Sequence, residues 1–193
     1  MILRSQSSRF QFGYVTAIAA AMALCVLAQP KALTAAQAVP FASSLPPVTN
    51  WQVVSHERLG FELSYPASVF QPAPGVASDA GRVFVSRDGM AKLLIAAIDN
   101  EIGTTLEDYR QHVLTTSYQG ATVDYAPVRR SWFVLSGVRD DTEFYERVSF
   151  TCGGRRITSW AMLYPRAQSR YYSRILESIA PTFRPSRSVE GSC

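Results

Sequence analysis

RVFVSRDGMAKLLIAAI, residues 82–98, decides the fold class. Two runs rich in β-branched and aromatic residues flank Asp88-Gly89, a dipeptide favoured where a tight hairpin turn needs a positive φ. The second run, LLIAAI (93–98), is apolar on both faces, which predicts a central strand covered from both sides. Working outward, LGFELSYP (59–66) alternates Leu59, Phe61, Leu63 and Tyr65 on one face, the pattern of a half-buried strand stopped by Pro66. Between these strands, QPAPGVASDAG (71–81) is expected to be an irregular loop.

After the hairpin, Thr104 and Glu107 form an S/T-x-x-E capping box, which predicts a helix over 105–118 with Leu106, Tyr109 and Val113 on its buried stripe. ATVDYAPV, SWFVLSGV and TEFYERVSFTC (121–152) then read as strands, and RRITSWAMLYP (155–165) as a further strand apolar on both faces. AQSRYYSRILESIA (167–180) places Tyr172, Ile175, Leu176 and Ile179 on one face of a second helix ended by Pro181. Sequential strands joined by short turns are largely antiparallel, and a two-sided sheet with two amphipathic helices suggests one helix per face. The expectation is an α+β sandwich with a mainly antiparallel sheet of about six to seven strands.

The N-terminus predicts export. Arg4 and Arg9 precede an apolar run from Tyr14 to Ala28, and Ala36-Gln37-Ala38 supplies a small-residue cleavage pattern. The run is shorter than the ~20 residues that span a bilayer. An uncleaved anchor is the alternative. Leu24 stands where a small residue should precede a lipidated Cys25, which argues against a lipoprotein. The expected organisation is a signal peptide over 1–38, a proline-rich linker over 39–50, one domain over 51–184 and a flexible tail over 185–193. A periplasmic or secreted protein follows, with no stable membrane insertion after cleavage.

Three of the 19 Lys and Arg residues lie in the leader, so 16 face the 15 acidic residues of the remainder. That near balance argues against nucleic-acid binding, where phosphate neutralisation needs an excess of cations. No HExxH, clustered His/Cys or EF-hand pattern occurs, so neither a metal nor a cofactor is expected.

The most chemical-looking stretch is FTCGGRR (150–156). Gly153-Gly154 reads as a two-residue hairpin turn with Arg155 opening the returning strand, because an anion loop would lead into a helix instead. Alternation puts Phe144, Glu146, Val148, Phe150 and Cys152 on one face. In an exported chain Cys152 and Cys193 are disulfide candidates, while a thiol nucleophile would need a base or a positive field. Glu146, a carboxylate among apolar neighbours, is expected in a buried ion pair with an arginine. Arg129, Arg130, Arg155 and Arg156 sit at strand ends or turns and could grip an acidic partner or a lipid phosphate, or stand as solvated turn charges. His112 with Asp108 four residues earlier could form an oriented base, or a solvated surface pair.

GFELSYPASVF (60–70), with SWAMLYP (159–165) and YYSRILESIAPTF (171–183), resembles the PsbP-like α/β/α sandwich. AGRVFVSRDG, WFVLSG, FYERV and TCGGRRITSWAMLYP also resemble small exported proteins of alphaproteobacteria that have no assigned activity. The resemblance covers roughly 59–183 and consists of strand and turn patterns. It implies an accessory or binding protein assisting a larger assembly, and no catalytic residue carries over. The functional expectation is therefore a non-enzymatic module with a protein partner in the cell envelope. The alternative is a small periplasmic enzyme, of thiol or hydrolase type, using Cys152 or His112.

Overall fold

The structure, a computed structural model, describes residues 45–56 and 60–185. The leader read over 1–38 and the tail from 186, with Cys193, lie outside the described residues. Strands β1 (Trp51–His56) and β2 (Phe61–Pro66) form a two-stranded antiparallel ribbon. The main sheet takes β3 (Phe70–Ser78), β4 (Gly81–Ser86), β5 (Lys92–Asp99), β6 (Thr122–Tyr125), β7 (Trp132–Arg139), β8 (Thr142–Thr151) and β9 (Arg156–Pro165). Its order is β3-β4-β5-β9-β8-β7-β6, and every neighbouring pair is antiparallel. Helix α1 (Leu106–Thr116) follows β5, and α2 (Ser169–Ile179) follows β9.

β9 stands at the centre of the seven strands, and its alternate residues enter two different cores. Trp160, Met162 and Tyr164 pack with Leu93, Ile95 and Ala97 of β5, Phe61, Leu63 and Tyr65 of β2, and Tyr172, Ile175 and Ile179 of α2. Ile157 and Leu163 join Phe133, Leu135, Phe144 and Val148 with Tyr109 and Val113 of α1. This is why both β5 and β9 read as two-sided apolar runs. Fully burying each large side chain contributes about 1.5–3 kcal/mol.

The hairpin that opened the argument forms as expected: Val85 pairs with Lys92, and the Ser86 N–H donates to the Ala91 carbonyl at 2.9 Å. Four expectations need correction. The stretch 71–81 is largely strand rather than loop, since β3 pairs with β4 around a bulge between Pro72 and Ala77. Its prolines are tolerated because β3 is an edge, where a missing N–H breaks no ladder bond. The helix cap lies one residue later than the sequence suggests: Thr105 Oγ1 accepts from the Asp108 N–H at 3.1 Å and donates to the Asp108 carboxylate at 2.7 Å. Thr104 instead gives its backbone N–H to Asn100 Oδ1.

The β8–β9 connection is also longer than two residues. Thr151 pairs with Arg156, and Cys152–Gly154 form a short 3₁₀ turn in which Cys152, Gly153 and Gly154 all have positive φ (55°, 66° and 92°). Cys152 therefore leaves the alternation that would have set it beside Phe150. Finally, the expected linker is held to the domain at its end. Tyr171 donates to the Pro46 carbonyl at 2.6 Å, and Ser68 bonds to Pro47 and Thr49. At the other end, the Arg184 and Glu62 backbones exchange a pair of hydrogen bonds.

Candidate functional site: the arginine-bearing end of the sheet

Register brings together residues that are distant in sequence. Trp132 at the start of β7 pairs with Ser149 near the end of β8, and Thr151 pairs with Arg156 at the start of β9. The Phe150 N–H donates to the Ser131 carbonyl at 2.7 Å. The loop carrying Arg129-Arg130 and the turn carrying Arg155-Arg156 thus lie at one end of the sheet. Arg156 is engaged there by Asp99 of β5, at 3.3 Å. Asn100 straps this end together: its Nδ2 donates to the carbonyls of Gly154 (2.8 Å) and Thr104 (2.9 Å). The 152–155 turn is thereby tied to the start of α1.

Arg129 and Arg130 are exposed. The Arg129 guanidinium lies 5.7 Å from the Trp132 ring centroid, and Arg147 lies 4.8 Å from the same ring. Arg147 is also 5.7 Å from the Phe183 ring. Among the described residues neither guanidinium has a carboxylate partner. Two cations on one indole ring leave a positive potential that an anionic group can neutralise.

Beside this cluster runs β6, the last strand of the order, whose outer backbone edge meets no strand among the described residues. Tyr125 (59 % exposed) and Val128 (40 %) stand on this margin. The opposite edge, β3, is blunted by Pro72, Pro74 and a bulge, as natural sheets do to avoid strand addition. β6 is a shorter edge of four residues with a register shift between Val123 and Tyr125, and it carries no proline. Gly137 of β7 brings β6 close, because a Cβ there would meet the Thr122 carbonyl oxygen at 2.0 Å.

Glu146 sits mid-strand on β8, between Leu135 of β7 and Ala161 of β9. It shares a face with Phe144 and Val148, beneath the core that contains Tyr109 and Tyr118. Desolvation raises its pKa to about 7, opposed in part by a hydrogen bond from the Tyr118 hydroxyl. Tyr109 and Tyr118 are in turn raised by burial first and by Glu146 second. Among the described residues the group bonded to Glu146 is thus a tyrosine hydroxyl and not the expected arginine. Tyr118 also stacks on Phe144, with the ring centroids 4.1 Å apart. It is the last residue of the helix predicted over 105–118, off the Leu106–Tyr109–Val113 stripe, and the observed α1 ends two residues before it. Trp132, Arg147 and Asn100 were missed as well. For Trp132 and Arg147 the signal was there: they lie in strand runs, but their cross-strand meeting needs the β7–β8 register.

Asp108 is taken up in the α1 cap with Thr105, while the part-buried His112 ring lies 6.4 Å from Tyr109. Cys152 sits in the turn at the arginine end, and Cys193 lies outside the described residues. Among the described residues no group of three or more His, Cys, Asp or Glu side chains could hold a metal ion. No helix among them is long and apolar enough to cross a membrane.

No protein-family model and no curated protein matches the chain. Solved structures do. The solution structure of cyanobacterial PsbP (CyanoP) from Synechocystis sp. PCC 6803 aligns with a TM-score of 0.51 and 16% identity, over 79% of this chain and 98% of that one. The fold is PsbP-like. The Ran-binding protein Mog1p of Saccharomyces cerevisiae aligns with a TM-score of 0.49 and 12% identity, over 70% of this chain and 95% of that one.

Proposed function

We propose that this protein is an exported, non-enzymatic accessory module, an α/β/α sandwich with one helix on each face. It docks an acidic, extended segment of a cell-envelope protein at the arginine-bearing end of its sheet. The observation that carries the reading is the convergence of Arg129 and Arg147 on the Trp132 ring, with the exposed Arg130 next to Arg129 in the chain, at the end of the sheet where the β6 edge is open. An extended segment adds to a sheet edge through main-chain hydrogen bonds, and side-chain contacts then select it. Here the selecting groups are guanidiniums, which pair bidentately with carboxylates. Export rests on the leader read over 1–38 and accords with a cysteine pair in an oxidising compartment.

Photo-crosslinking in intact cells tests this. Tyr125→p-benzoylphenylalanine should give one discrete protein adduct. The same group at Met90, exposed at the opposite end of the sheet, should give none. Equal adducts from both positions, or none from Tyr125, would overturn the docking site.

A further inference from the structure

Six buried side-chain nitrogen or oxygen atoms among the described residues have no hydrogen-bond partner, and four of them lie on one face of the sheet. Arg147 Nε, Ser149 Oγ and Thr151 Oγ1 stand at alternate positions of β8, and Trp160 Nε1 belongs to the residue of β9 directly across from Arg147. Ser149 is 3 % exposed and Trp160 0 %. Unpaired polar atoms shielded from water are costly, and protein interiors seldom leave them so. The chemistry of the four is one-sided. An arginine Nε–H and an indole N–H can only donate, and the two hydroxyls can donate beside them. What the strip calls for is an acceptor.

The surroundings select its kind. Among the described residues Arg147 makes no ion pair with a carboxylate. Its guanidinium lies 4.8 Å from the Trp132 ring centroid and 5.7 Å from that of Phe183. Trp132 is the cross-strand partner of Ser149, and the Phe183 and Trp160 ring centroids are 6.3 Å apart. The two rings thereby link the arginine head to Ser149 on one side and to Trp160 on the other. Trp132, Arg147 and Thr151 are half-buried and form the outer margin of the strip, next to the exposed Arg129. A water would accept from these donors yet leave the Arg147 charge unmatched, whereas a carboxylate does both.

We infer that this strip is the anchor subsite of the docking surface: it takes one carboxylate side chain of the acidic segment, which accepts from Arg147, Ser149 and the Trp160 indole N–H. The exposed Arg129 and Arg130 meet further acids of the segment outside it. The inference rests on docking at the arginine end and adds which group of the partner is read there, and by which inner donors. Exposed guanidiniums alone attract negative charge in general. The hydroxyl and the indole N–H, fixed on two neighbouring strands, add direction, and so select a carboxylate at one position of the segment.

Indole N–H resonances of the purified chain test the subsite, because its three tryptophans give three signals and Trp51 on β1 lies outside the strip. The probe is an acetylated, amidated hexapeptide of alternating Glu and Ser, titrated beside its Gln-for-Glu counterpart and sodium acetate at constant ionic strength. The acidic peptide should move the Trp160 indole proton downfield, saturably, and leave Trp51 in place. The glutamine peptide should move neither, and acetate should act only at a concentration at least tenfold higher. Ser149→Ala should weaken the acidic peptide about tenfold, since one charge-assisted hydrogen bond is lost. A Trp132 signal that moves with the acidic peptide while Trp160 stays in place would overturn the subsite and leave docking at the arginine end standing. Movement of neither also overturns the subsite, and the Tyr125 crosslink then decides the docking reading by itself. Acetate as potent as the peptide would overturn the assignment to a side chain of the segment.

Discussion

Removing the charge of Glu146 should make the protein more stable at neutral and alkaline pH, not less. The folded protein holds this carboxyl at a pKa of about 7, against an ordinary value of 4.5. A raised carboxyl pKa means that the folded state binds the proton more tightly than the unfolded chain. Stability therefore falls as pH rises from about 4.5 to about 7, and levels off once both states are ionised. Raising the pKa from 4.5 to about 7 sets the loss at about 3 kcal/mol. Glu146→Gln keeps the shape and an acceptor for the Tyr118 hydroxyl but cannot ionise. Urea unfolding followed by tryptophan fluorescence at pH 5, 6, 7 and 8 reads the effect. The charge should cost the parent less than about 1 kcal/mol near pH 5 and about 3 kcal/mol at pH 8, so the curves diverge in favour of the variant. Other titrating groups are common to both proteins and cancel in the difference. Curves that stay parallel across this range would refute a desolvated carboxylate beneath α1.

The cap makes a sharper local prediction: Thr105→Ala should cost about 1 kcal/mol of unfolding free energy, whereas Thr104→Ala should cost little, measured by urea unfolding. Gly137→Ala should release β6 from the sheet, seen as faster amide exchange over 122–125, because its Cβ cannot coexist with the Thr122 carbonyl. Trp132→Ala should cost about 1–2 kcal/mol of stability through lost packing and cation–π contacts, and should weaken capture of the partner. Unchanged capture by a folded Trp132→Ala protein would remove the indole from the docking surface.

The fold was legible where a strand's pattern is self-contained. LLIAAI and SWAMLYP announced a sheet covered on both faces, and both strands lie inside the seven-stranded sheet. β3 was not legible, because Pro72, Pro74 and Gly75 read as loop and only its edge position makes them compatible with a strand. β1 was not read as a strand either: its six residues acquire meaning only by pairing with β2. The cap slipped by one residue because Thr104 and Thr105 are both followed three residues later by an acid. The candidate site divides in the same way. The arginine doublets were visible as turn charges, but their meeting depends on the β7–β8–β9 register. Glu146 was recognisable as a carboxylate in apolar company, whereas its Tyr118 partner stands at the end of the predicted helix, off the stripe that marks the buried face.

The central claim is that charge at the arginine end, and not a catalytic group, is what the protein contributes. The measurement that tests it most directly is the yield of the Tyr125 photo-adduct in an Arg129→Glu, Arg130→Glu protein, beside His112→Ala and Cys152→Ser controls. Both arginines are exposed, so the fold should be retained, and circular dichroism checks this. The account predicts at least a tenfold loss of adduct on charge reversal, and none in the His112→Ala protein or in the Cys152→Ser protein where it folds. An adduct that survives charge reversal but disappears with His112 or Cys152 would contradict it and return the protein to the enzymatic reading.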